Sequence, residues 1–167
     1  MKPLFCIRLL LFVSFCIGIG SLRAEEKLLE GEALGKIALG KEVDALAALI
    51  GQPDTKGKDE SWEAIGAWVQ EWRYRALGLK LGMNSRKKGG AKTVLSITAE
   101  APCALATSRG IKIGSTEAEV MKAYRKVRNA EESIAGQTFV AGSLYGGTIF
   151  TFKSGKVRQI FIGAVAE

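Results

Sequence analysis

The sequence predicts an α+β protein: two tandem helix-plus-antiparallel-sheet repeats, with the helices on one face of the sheet. Three observations predict it. Strand-like runs alternate apolar and polar residues with period two, two short segments carry apolar residues at helical spacing, and one local pattern occurs twice. That pattern is Gly35-Lys36-Ile37-Ala38-Leu39-Gly40, matched by Arg109-Gly110-Ile111-Lys112-Ile113-Gly114. Counting on from Gly40 and Gly114, Leu46 falls on Val120 and Ile50 on Tyr124 without a gap. The far ends match too: Lys92-Thr93-Val94-Leu95-Ser96-Ile97 resembles Gly155-Lys156-Val157-Arg158-Gln159-Ile160, with Val94 on Val157 and Ile97 on Ile160.

In chain order, the first element is a leader rather than part of the fold. Lys2 and Arg8 precede an apolar run over residues 9–20, which ends in Ser21-Leu22-Arg23-Ala24 before the acidic pair Glu25-Glu26. A basic start, a short apolar core and a small residue at the exit make a secretory signal, cleaved after about Ala24. The run is shorter than the about 20 apolar residues of a membrane-spanning helix, so no stable membrane anchor is expected. The competing reading is a lipoprotein modified at Cys16, where the bulky Phe15 stands at the position that favours a small residue. The expected location is the periplasm or the medium. The division that follows is a signal peptide over 1–24, an N-terminal segment over 25–34, repeat 1 over 35–101, a linker over 102–109 and repeat 2 over 110–167, the repeats sharing one domain.

Repeat 1 opens with a short extended stretch and then a helix over residues 42–50. Val43, Leu46, Ala47 and Ile50 form its apolar stripe, and Gly51 and Pro53 stop it. Strands follow over 67–75 and 77–84. In the first, Trp68, Trp72 and Tyr74 share one face while Glu71, Arg73 and Arg75 share the other. In the second, Leu77, Leu79, Leu81 and Met83 alternate with Gly78, Lys80, Gly82 and Asn84. Ser85-Arg86-Lys87-Lys88-Gly89-Gly90 reads as a hairpin loop before the closing strand around Val94 and Ile97. Repeat 2 starts its helix with Thr116-Glu117-Ala118-Glu119, a capping box, followed by the stripe Val120, Ala123, Tyr124 and Val127. Its strands are expected over 137–145, 147–153 and 156–165, with Ser154-Gly155 as a tight turn.

A unit of the form Ile-x-Ile-Gly, a helix, then Val-x-x-Ile on a closing strand resembles two related families. One is the β-lactamase inhibitory protein; the other is the SmpA/OmlA type, the small lipoprotein of the outer-membrane β-barrel assembly machinery. The resemblance rests on residues 110–120 and on Gly155-Lys156-Val157-Arg158-Gln159-Ile160, and extends over about residues 35–165. It implies helices packed on one face of an antiparallel sheet whose other face grips a protein partner. The chain departs from the inhibitor in lacking paired cysteines after the leader, and from the lipoprotein in having two units and a poor lipidation motif.

The residue inventory narrows the chemistry. The chain has no His, which removes Ser-His-Asp and Cys-His nucleophiles and most zinc sites. Of its 3 cysteines, Cys6 and Cys16 lie in the leader, leaving Cys103 without an internal disulfide partner and expected in the core. Ser85-Arg86-Lys87-Lys88 fits a Ser-x-x-Lys pattern, but in a loop and without the accompanying motifs it reads as a basic turn. Asp54, Asp59, Glu60 and Glu63 lack the spacing of a calcium loop and read as a solvated acidic stretch. No phosphate-cradling glycine loop is present. The formal net charge of +7 falls when the leader, with Lys2, Arg8 and Arg23 and no acid, is removed, which leaves no nucleic-acid signature.

The expectation is therefore a non-catalytic module with no cofactor or metal, binding an unknown protein partner through the open sheet face. Glu71, Arg73, Arg75 and Lys80 are its candidate binding residues. The alternatives are an outer-membrane-associated assembly lipoprotein and a carboxylate-dependent enzyme.

Overall fold

The computed structural model describes residues 31–164. The signal sequence, Ala24 and Cys16 lie outside the described residues, as does Val165 at the expected end of the last strand. The elements are β1 (Ala33–Leu34), β2 (Ile37–Ala38), α1 (Val43–Ile50), β3 (Thr55–Lys56), β4 (Glu60–Trp62), β5 (Ala67–Tyr74), β6 (Leu79–Ser85), β7 (Thr93–Glu100), α2 (Glu117–Tyr124), β8 (Arg128–Ile134), β9 (Thr138–Ser143), β10 (Gly146–Lys153) and β11 (Lys156–Gly163). β1 and β2 pair as a two-stranded ribbon. The other nine strands form one sheet, ordered β3-β5-β6-β7-β11-β10-β9-β8, with β4 also on β5. Every pairing is antiparallel. The fold is thus α+β, mostly strand.

Alternation decides what each strand buries. Trp72 and Tyr74 of β5, Leu79, Leu81 and Met83 of β6, and Val94, Ile97 and Ala99 of β7 enter one cluster with Phe139, Phe150, Val157, Ile160 and Ile162 from the far half of the sheet. Leu46 of α1 and Val120 and Tyr124 of α2 belong to that same cluster. Residues one step along each strand, such as Arg73, Lys80, Thr98, Phe161 and Ile149, lie outside it. Cys103 is buried in the cluster as a free thiol, and burial pushes its ionisation up.

Both helices begin beside a strand of the sheet. Gly40 N–H donates to Val94 O at 2.7 Å and Val94 N–H to Lys41 O at 3.0 Å, ahead of α1. Gly114 N–H donates to Val157 O at 2.8 Å and Val157 N–H to Ser115 O at 2.8 Å, ahead of α2. At α2, Glu119 N–H donates to Thr116 Oγ1 at 3.2 Å and Thr116 N–H returns to Glu119 Oε2 at 2.6 Å, the reciprocal cap. Gly51 ends α1 with φ 79.

Three segments differ from the sequence reading. β8 occupies residues without alternation; a turn within it is held by Asn129 Oδ1, which accepts from Glu131 N–H at 3.1 Å and Glu132 N–H at 3.2 Å. β3 and β4 form a broken edge strand where an acidic loop is expected. Leu77 belongs to a 3-10 turn, Arg75–Leu77, and is 38% exposed instead of facing the core. The turn closes on Gly78, at φ 60, where a Cβ would stand 2.3 Å from Glu100 O and 2.7 Å from Cys103 N.

Candidate functional site

The face of the sheet outside the buried cluster carries a row of directly opposed residues. Thr55 lies opposite Arg73, Arg73 opposite Lys80, Lys80 opposite Thr98, Thr98 opposite Phe161, and Phe161 opposite Ile149. Cationic residues therefore occupy the β5–β6 half of this row and apolar ones the β11–β10 half.

Glu71, Arg73 and Lys80 come together on the cationic half. Arg73 Nε donates to Glu71 Oε1 at 2.6 Å, and Lys80 Nζ lies 3.6 Å from Glu71 Oε2. These side chains keep 40–58% of their surface exposed, so each pair contributes little to stability. Arg75 does not continue the row: it sits one residue past β5, in the 3-10 turn, where its N–H donates to Asp54 Oδ2 at 2.6 Å. It still lines the same shallow concavity of about 270 Å³ as Arg73, Lys80, Thr98 and Glu100.

The apolar half is a groove of about 310 Å³ lined by Trp62, Leu95, Ile149 and Phe161, with Ser96 and Gln159. All four large side chains are half-buried. Sequence reasoning missed it because its parts come from four strands. Trp62 ends the unforeseen β4, and Leu95 stands at the irregularity where Gly82 pairs with Ser96 but Met83 pairs with Val94. Gln159 and Glu100 mark the border of the two concavities, with Gln159 Nε2 donating to Glu100 Oε1 at 2.5 Å.

Two buried polar groupings lie elsewhere. Asp59, expected in solvent, forms an ion pair with Lys92; the side chains are 11% and 8% exposed. Asp59 Oδ2 also accepts from Gly89 N–H at 2.8 Å, and Lys92 Nζ donates to Ser85 Oγ at 3.3 Å. The bond from Lys92, then that from the Gly89 amide, holds the Asp59 carboxyl below its usual range. Ser85 closes β6, buried, and donates to Lys87 O at 3.0 Å, so the Ser-x-x-Lys serine sits on a strand end with a structural role.

Glu32 is 3% exposed, with Oε1 accepting from Tyr124 Oη at 2.9 Å and Oε2 at 3.8 Å from Arg109 Nε. The Tyr124 hydroxyl also reaches Thr107 Oγ1 at 2.8 Å. Burial raises the pKa of Glu32 against the lowering effects of Tyr124 and Arg109, and burial likewise raises that of Tyr124. This grouping ties the N-terminal segment and the linker to α2. No known protein family, characterised protein or solved structure matches the chain.

Proposed function

We propose that this is an exported, non-catalytic module that binds another protein through the sheet face opposite its two helices. The observation that carries the reading is the face itself: cationic side chains and a half-buried apolar groove lie side by side, outside the cluster that α1 and α2 complete. An antiparallel sheet commonly leaves one face to water, and an aromatic-containing groove beside arginines has the composition of binding hot spots. Export rests on the leader read from the sequence.

The reading includes a tandem architecture with both helices on one face. Two relationships support it. The backbone bonds of Gly40 and Lys41 to Val94 have their counterparts in those of Gly114 and Ser115 to Val157. The alignment that sets Val94 on Val157 and Ile97 on Ile160 also sets Thr98 on Phe161, and these two pair across β7 and β11. Around them Ile97 pairs with Ile162, and Ala99 with Ile160, an exchange expected of two equivalent units related by a twofold axis.

The test compares capture from native envelope extract at low salt by the wild-type protein and by Thr98→Arg, which places a long charged side chain at the centre of the face. A partner recovered by the first and lost by the second, with circular dichroism unchanged, is the expected outcome. No partner, or one equally well recovered by both, overturns the reading.

A further inference from the structure

The chemistry of the two concavities specifies what a partner must present. Arg73 donates to Glu71 through Nε, and no described residue accepts a hydrogen bond from its terminal nitrogens. Among the described residues, Lys80 Nζ has only the 3.6 Å approach to Glu71 Oε2, and the Arg75 side chain has no ion-pair partner. Glu100, the acid in that concavity, is engaged by Gln159. Three guanidinium or ammonium groups with unused donors thus surround one pocket. The adjoining groove has no charged residue in its lining.

The distance between the two features is fixed by the sheet. Lys80 and Phe161 both lie opposite Thr98, on either side of it, so two strand spacings separate them, about 10 Å. A polyproline-II segment, with three residues per turn and about 3.1 Å of rise per residue, covers that span in about three residues and returns its side chain to the same face.

We infer that this face takes a protein segment in the polyproline-II conformation bearing a carboxylate and, about three residues away on the same side, a bulky apolar side chain. The carboxylate meets Arg73 and Lys80; the apolar side chain fills the groove of Trp62, Leu95, Ile149 and Phe161. Bidentate guanidinium–carboxylate pairing supplies orientation, and the desolvated apolar contact supplies the larger share of affinity. The inference rests on the protein-binding reading above and adds the partner's chemistry to it.

The experiment pans a random heptapeptide display library against the wild-type protein, against Thr98→Arg, and against the double variant Arg73→Gln/Lys80→Gln. The expected result is enrichment on the wild type of peptides with Asp or Glu three positions from Leu, Phe, Ile or Trp. Recovery falls about tenfold on the double variant and in high salt, and is lost on Thr98→Arg. Enriched peptides that lack the acid but still require Thr98 overturn the partner chemistry while leaving the binding face standing. Peptides recovered equally on Thr98→Arg overturn both. An unenriched library overturns the inference, and the extract capture then decides the wider reading alone.

Discussion

The Tyr124 hydroxyl donates to the Glu32 carboxylate at 2.9 Å, joining residues 92 positions apart in the chain. Neither group reaches water, and each takes its remaining contacts from the linker, Thr107 on one side and Arg109 on the other. Replacing Glu32 by Ala leaves Tyr124 with Thr107 alone and is expected to cost about 2 kcal/mol in chemical denaturation at neutral pH. Glu32→Gln keeps an acceptor for Tyr124 and is expected to lose much less.

The same carboxyl gives a pH effect of defined sign. Its folded pKa lies above the ordinary value because burial disfavours the charge. Between the ordinary and the folded value the native state holds a proton that the unfolded state has lost, so lowering the pH through this window adds stability. Denaturation midpoints of wild type and Glu32→Gln, measured from neutral pH downward, should draw apart, the wild type gaining on the variant as Glu32 takes up its proton. Parallel curves would contradict this.

Asp59 works in the opposite direction. Its pKa is depressed by the bond from Lys92, so its contribution is present above the ordinary carboxyl value and is lost as pH falls through the folded one. Lys92→Met leaves the part-buried Asp59 without its charge partner, an expected loss of about 1–2 kcal/mol at neutral pH. Asp59→Asn/Lys92→Met together should recover part of that loss, which a double-mutant cycle measures.

Gly78→Ala tests the 3-10 turn. The left-handed backbone alone costs roughly 1–2 kcal/mol for a residue with a Cβ. The new Cβ would also stand 2.3 Å from Glu100 O, so backbone must move. A loss above the simple conformational penalty, with altered amide shifts at Glu100 and Cys103, is expected.

Thr148→Val should stabilise. The Thr148 hydroxyl is fully buried and has no hydrogen-bond partner among the described residues. Valine keeps the shape and removes the unpaired group, for an expected gain of about 1 kcal/mol in thermal or chemical unfolding.

What was legible in the sequence was whatever carried a period. Leu46, Val120 and Tyr124 are buried where helical spacing places them, and Thr116 and Glu119 form their reciprocal cap. The alternation of Trp72, Tyr74, Leu79, Leu81 and Met83 separated the buried side of β5 and β6 from Glu71, Arg73 and Lys80. Features built by contacts between distant segments left no such trace. Asp59 meets Lys92 across 33 positions, and Trp62 of β4 lines the same groove as Phe161 of β11. β8 was invisible because Arg128-Asn129-Ala130-Glu131-Glu132-Ser133-Ile134 has no apolar face, and side-chain bonds from Asn129 and Ser133 shape its irregular edge. Arg75 was misplaced by a single residue, since nothing local distinguishes the last strand position from the first of a 3-10 turn.

The pairing of β7 with β11 bears on fragment complementation. Each is the last strand of its own meander, and each turns apolar residues, Ile97 and Ala99 or Ile160 and Ile162, into the shared core. A chain severed in the linker would bare two matched sheet edges with a full set of unpaired backbone groups. The halves would be poorly soluble apart and would reassemble when mixed, so a nick at this place would register as a dissociation equilibrium rather than as two independent folding events.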